Sequence, residues 1–270
     1  EISACLVGSE MCIRDRMIEK GEFKKDEAKM GYVGAFTYAE VISGYTSFFL
    51  GARSVCPSVT MEVTFTGSWY DEAAEKEAAN KLIKDGCKLI SQHADSLGAP
   101  TACENAGVPN VSYNGSTITA GPNTYIISSR IDWAPYYEMA IKAVMDGTEI
   151  PADYTGNLST GSVVLTDLNT AVAAEGTQAA IDAAKAKLES GELHVFDCST
   201  FTVSGANVKD TMKVDADGHL TSYMADVNTD EAYTGDTEVV HDGYFSESEF
   251  RSAPYFDLFI DGINTLDTAF

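Results

Sequence analysis

The chain has 270 residues, 44% of them apolar and 10% aromatic, enough for one large domain or two lobes with a sizeable core. That composition excludes a disordered chain, because the aromatic side chains alone supply large buried surfaces. With 41 acidic against 18 basic side chains the formal charge is −23, which repels nucleic-acid phosphate and anionic lipid and removes both as partners.

Residues 1–16, EISACLVGSEMCIRDR, show no sustained helix or strand period. They resemble adapter sequence translated at the open end of a gene model and are expected to be foreign to the natural protein. Residues 17–28 are polar and helix-like with a break at Gly21, and read as a remnant of an upstream lobe. A regular rhythm then begins. Lys29–Phe36 reads as a buried strand, and Glu40–Ala52 as a helix with Val41, Tyr45, Phe48 and Phe49 at helical spacing. Val59–Thr66 alternates as a strand. Asp71–Lys84 is a predicted helix with Ala74, Ala78 and Leu82 on one stripe, Asp71 as N-cap and Gly86 just past its end.

Cys87–Gln92 is the third strand and Ser96–Ala106 a helix ended by Gly107. Val108–Tyr113 and Thr124–Ser129 are strands, and Trp133–Met145 is a helix stopped by Asp146-Gly147. Strands and helices alternating at this spacing predict βαβ units and a parallel sheet. Beyond Pro151 the rhythm changes. Thr160–Leu165 reads as a strand, Thr177–Leu188 as an Ala-rich helix before Gly191, and His194–Val203 as β-like. Residues 204–243 are expected to form a hairpin with long loops, and Tyr244–Phe270 carries a last aromatic cluster. No run of about 18 apolar residues occurs, so no membrane-spanning helix is expected. The six cysteines include no Cys-x-x-Cys pair, which argues against a zinc or thioredoxin-like site.

The chemistry-bearing residues gather where strands end, the edge at which open α/β sheets hold small molecules. Phe36 and Tyr38 follow the first strand, either as a stacking surface for a flat ligand or with Phe36 capping the core. Trp69 and Asp71 follow the second: Asp71 as helix cap, Trp69 as cleft wall or packed rim. His93 and Asp95 follow the third, read as hydrogen-bond partners for a neutral polar ligand or as structural groups. Asn114 closes the fourth strand, as ligand contact or Asn-Gly turn residue. Arg130 closes the fifth, pairing with Asp132 or reaching the ligand, and Trp133 follows it. No GxSxG elbow, Walker A sequence, dinucleotide fingerprint or complete EF-hand loop is present.

The order GYVGAF, LGARSV, GSWYDEAAEKEAANKLIKDG, SQHADS and SRIDWAPYYEMAIKAVMDG resembles the basic membrane protein (BMP) family, over about Lys29 to Phe196. These are lipid-anchored substrate-binding proteins of ABC importers, several of which bind purine nucleosides. The resemblance implies an α/β, type I periplasmic-binding-protein-like fold, with a parallel sheet flanked by helices and ligand held between two lobes. One lobe is largely complete here and the other mostly missing. Residues 29–150 would form the C-terminal ligand-binding lobe, 151–203 its continuation and crossover strands, and 204–270 a polar hairpin and aromatic tail. That tail is longer than the usual family ending and would pack against the missing lobe or replace part of its cover.

Carried over by position, the ligand-facing residues are Phe36, Trp69, Asp71, His93, Asp95, Asn114, Arg130 and Trp133, with aromatics sandwiching a base and carboxylates and amides holding ribose hydroxyls. Family members often have Thr in place of Ala94 and Asp near Asn114, which leaves a sugar or another small polar ligand open. The resemblance implies no cofactor, no metal and no catalysis. The partners are a nucleoside and an ABC permease, and the place is extracytoplasmic, held to the membrane only through a lipid anchor absent from this fragment. The alternatives are an α/β enzyme acting on nucleosides or sugars with Asp71 and Asp95 as acid and base, a sugar-binding receptor, or a ligand-sensing domain of a signalling protein.

Overall fold

The computed structural model describes residues 28–228 and 235–266; the expected adapter-like segment and nearly all of the upstream remnant lie outside the described residues. The predicted alternation is present in order: β1 (Lys29–Gly34), α1 (Ala39–Val55), β2 (Thr60–Phe65), α2 (Glu72–Lys84), β3 (Leu89–Gln92), α3 (Gly98–Ala106), β4 (Asn110–Tyr113), β5 (Tyr125–Ile131) and α4 (Ala134–Asp146). β6 (Val163–Leu165) and α5 (Thr177–Ser190) follow. The later part contains a hairpin of β7 (Met212–Val214) and β8 (Leu220–Ala225) and the short strands β9 (Thr237–Glu238), β10 (Val240–His241), β11 (Tyr244–Phe245) and β12 (Ile263–Thr265). No helix among the described residues is long and apolar enough to cross a membrane.

The main sheet has the order β12-β2-β1-β3-β4-β5-β6. All of its pairings are parallel except β5 with β6. β1 is central, so its apolar residues are buried on both faces. Met30 and Tyr32 join the core under α1, while Val33 joins the core of Ala79, Leu82, Ile90 and Cys103 under α2 and α3. Because β2 and β3 lie on opposite sides of β1, the chain leaves β1 and β3 in opposite directions. That reversal opens a crevice at their C-terminal ends, the topological switch point of a doubly wound sheet.

Local chemistry sets the helix ends. Asp71 Oδ1 accepts from Ala74 N at 3.0 Å and caps α2 as expected, a contact worth about 1 kcal/mol. Gly107 and Gly147 end α3 and α4 in the left-handed conformation. The predicted stripe Ala74, Ala78, Leu82 is corrected by one residue: α2 buries Glu75, Ala79 and Leu82. A buried glutamate does not register as part of an apolar stripe.

The β-like reading of His194–Val203 is also corrected. Phe196, Cys198, Phe201 and Val203 are buried, but the backbone is a loop with a 3₁₀ turn at Cys198–Thr200, and Asp197 accepts from Ser199 N. One isolated antiparallel bridge joins Asp197 to Tyr244, and the rest of the alternating burial reflects packing against the tail aromatics. The tail itself covers the α1 face: Phe245, Phe256 and Leu258 are buried in the same core as Phe48 and Phe49, and β12 extends the sheet beside β2. Phe250, grouped by sequence with that cluster, is exposed. Cys56, Cys87, Cys103 and Cys198 are buried free thiols.

Candidate functional site

The loops leaving β1, β2, β3 and β4 bring a row of rings to the C-terminal edge of the sheet. Phe36 stacks on Tyr38 with centroids 5.0 Å apart and planes 16° from parallel. Trp69 meets Phe36 edge-on at 5.4 Å and Tyr38 at 6.3 Å. Trp69 then lies 6.3 Å from His93, whose ring leans on Tyr113 at 4.1 Å. The backbone fixes this order, since His93 N donates to Val33 O at 2.9 Å and Asp95 N donates to Trp69 O at 2.9 Å. Phe36 and Trp69 are half-buried, and Tyr38 is exposed.

Carboxylates surround the row. Asp71 and Asp95 are exposed beside Trp69 and His93, and Glu40 stands in the first turn of α1. The N-termini of α1, α2 and α3 follow the loops after β1, β2 and β3, so their positive dipole ends face these acids. Glu75 is fully buried beneath the loops. Its carboxylate accepts from Asp71 N at 3.1 Å and from Ser96 N at 3.2 and 3.3 Å, tying the start of α2 to the loop after β3.

His93 is buried, and its two ring nitrogens differ. Nδ1 lies 3.2 Å from the Tyr32 hydroxyl. Nε2 is buried without a hydrogen-bond partner, 3.7 Å from Glu40 Oε1. The imidazole beside Glu40 holds its carboxyl below the ordinary value, with partial burial pulling the other way. Burial pushes the Tyr32 phenol well above its ordinary value and Tyr113 up to about 12, so both stay protonated at neutral pH.

Of the eight residues singled out by sequence, Phe36, Trp69 and His93 come together in the ring row, with Asp71 and Asp95 flanking it. Asn114 sits next to Tyr113 in the left-handed conformation (φ 62°), which fits the turn reading. Arg130 pairs with Asp132 at 3.2 Å, and Asp132 also accepts from Ala134 N at the start of α4. Trp133 is exposed and packs with Tyr136 and Tyr137, apart from the row, where α4 also turns Ile141 and Val144 to solvent. Sequence reasoning missed Tyr113, Glu40, Tyr32 and Gly44. Tyr113 was detectable as the ring ending β4; the others join the site through contacts distant in sequence.

A separate cavity of about 330 Å³ lies between the 194–199 loop, the β7–β8 hairpin and the turn before β11, lined by His194, Cys198, His219 and Tyr244 among others. Among the described residues no group of three or more His, Cys, Asp or Glu side chains is placed to hold a metal ion.

Comparison with known proteins bears on this edge of the sheet. Residues 23–195 match the family described as "ABC transporter substrate-binding protein PnrA-like". A Haloferax volcanii protein named as an ABC transporter glucose-binding protein is 33% identical over 172 residues, 64% of this chain and 44% of the relative. A purine-binding protein of Brucella abortus is 31% identical over 166 residues, 62% of this chain and 47% of the relative. The chain thus spans about half the length of these relatives. A solved ABC transporter solute-binding protein from Conexibacter woesei superposes with a TM-score of 0.53 at 28% identity, covering 62% of this chain and 56% of that one. A solute-binding protein from Aeropyrum pernix gives a TM-score of 0.60 at 17% identity, covering 78% and 66%, which supports the fold alone. With the family pattern covering the sheet from β1 through α5, this chain belongs to the PnrA-like family of ABC transporter substrate-binding proteins.

Proposed function

We propose that the ring row is one wall of a cleft that takes a nucleoside, with a purine base against Phe36, Trp69 and His93 and the sugar toward the carboxylates. The observation that carries this reading is the continuous aromatic surface at the switch point. A flat base gains roughly 1–3 kcal/mol per stacking contact, whereas a sugar offers one apolar face and many hydroxyls. The purine-binding relative supports it. In this reading residues 29–150 are the ligand-binding lobe, 151–203 its continuation with the crossover strands, and 204–270 a hairpin and tail covering the α1 face. The protein binds its ligand outside the cytoplasmic membrane, held there by a lipid anchor, and hands it to a permease without chemical change. Asn114, Arg130 and Trp133 remain proposed rim contacts.

The glucose-binding name of the other relative favours a second reading, a sugar receptor held by Glu40, Asp71 and Asp95. Thermal unfolding separates the two. With inosine, guanosine and adenosine the melting temperature is expected to rise with the logarithm of ligand concentration, and with ribose and glucose to stay constant. A rise with glucose alone would replace the nucleoside reading by the sugar one.

A further inference from the structure

α4 carries an apolar stripe that faces solvent. Tyr137, Ile141, Val144 and Met145 recur at spacings of three and four residues, which places them on one side of the helix. They are 58%, 60%, 69% and 81% exposed. Trp133 continues the stripe at its N-terminal end, and Ile150 stands beyond its C-terminal end, both exposed as well. On its inner side the helix fully buries only Ala143, and Tyr136 meets Tyr154 edge-on at 5.5 Å. A helix of 13 residues is marginal in water by itself, and its stability comes from covering its apolar face. A continuous exposed stripe of large apolar side chains therefore marks a contact surface.

The charges beside the stripe select what fits it. Glu138 and Lys142 lie one turn apart on the same flank, both exposed, while Tyr136 and Ala140 give the other flank no charge. With a formal charge of −23, two copies of the chain repel each other unless opposite charges meet where they touch. An antiparallel pair of α4 helices, about a two-fold axis near Ala140, meets that condition. Each flank then faces its own counterpart running the other way, so every Glu138 faces the partner's Lys142. Tyr137 of each copy lies toward the partner's Val144 across the axis. A parallel pair would set the charged flank against the uncharged one and gain no ion pair. We propose that α4 is the contact surface of a symmetric dimer of this chain, paired antiparallel through Tyr137, Ile141, Val144 and Met145 with two Glu138–Lys142 ion pairs along one side. Together the two stripes remove roughly 1,000 Å² from water, the lower end of specific interfaces, which suits a reversible dimer of micromolar strength. The pairing is independent of the ligand that the cleft takes.

The test is sedimentation equilibrium of the whole 270-residue chain from micromolar to submillimolar concentration. The wild type is expected to follow a monomer–dimer equilibrium with no larger species. Ile141→Glu puts a carboxylate into the seam of both copies and is expected to weaken the dimer about 100-fold. Because Ile141 is exposed, that change leaves the fold intact, which circular dichroism checks. Glu138→Lys or Lys142→Glu alone sets like charges against each other across the axis, and each is expected to weaken the dimer about 10-fold. The double exchange, Glu138→Lys with Lys142→Glu, is expected to restore it, since opposite charges again meet. A wild type that stays monomeric throughout would overturn the dimer and leave the face to a different polypeptide. Association that Ile141→Glu abolishes but the single charge exchanges leave unchanged would overturn the antiparallel pairing and assign the stripe to unspecific adhesion. Association that Ile141→Glu leaves unchanged would place the contact elsewhere and overturn the proposal.

Discussion

Replacing Gly98 by alanine is expected to lower the stability of the chain by about 3 kcal/mol. At an ordinary helix position the same change would stabilise by about 1 kcal/mol, because alanine is the better helix former. Here the sign reverses. Gly98 opens α3 where that helix crosses α2, and a Cβ on it would lie 2.4 Å from Glu72 O and 2.9 Å from Lys76 N. Those are backbone atoms of α2 and cannot swing aside as a side chain end does. The two helices must separate, loosening the core of Val33, Ala79, Leu82, Ile90 and Ala102. Urea unfolding should show a lower midpoint with an unchanged slope. Gly115→Ala is the control, since no heavy atom lies within 4 Å of the Cβ it would add. An unchanged midpoint for Gly98→Ala would mean that α2 and α3 are not packed this closely.

The second large effect is expected at Glu75. Glu75→Ala strands Asp71 N and Ser96 N, which both donate to its carboxylate, and a buried donor left unpaired costs about 1–3 kcal/mol. A loss of roughly 3 kcal/mol is expected, together with weaker ligand binding, because the Ser96 bond holds the loop that carries His93 and Asp95. Glu75→Gln keeps an oxygen acceptor and is expected to be far milder. The pH dependence has a definite sign. Burial pushes the Glu75 carboxyl above its ordinary value, outweighing the hydrogen bonds from Ser96 and Asp71. A raised carboxyl contributes stability that is full below the unfolded value of about 4.3 and is lost as pH rises through the folded one. The stability of Glu75→Gln relative to wild type should therefore improve as pH rises from about 4 to 7. A constant difference between the two proteins across that range would rule out the burial-driven shift.

The alternation of strands and helices was legible because this sheet is doubly wound: buried strands read as apolar runs, and Asp71, Gly107 and Gly147 punctuate the helices between them. Strand ends were less legible. Ala35 is buried and Phe36 half-buried, so apolarity continues beyond the last ladder residue, Gly34. Burial with pairing confined to one isolated bridge, Asp197 with Tyr244, also explains why residues around Phe196 and Phe201 read as a strand and fold as a loop. At the site, Phe36, Trp69 and His93 were visible as residues that end or follow strands. The partners that define His93 were not, since Tyr32, Glu40 and Gly44 precede it by 49 to 61 positions and meet it only when α1 packs over β1 and β3.

A base lying against the ring row would be reported by the fluorescence of Trp69. The chain has two tryptophans, and Trp133→Phe leaves Trp69 as the reporter while keeping an aromatic ring at the proposed rim. Titrating this variant with inosine up to millimolar concentration is predicted to quench Trp69 saturably, with the quench abolished when Trp69 is also replaced and absent with ribose. Emission that stays flat with inosine, guanosine and adenosine while glucose changes it would contradict that placement of a base and assign the cleft to a sugar.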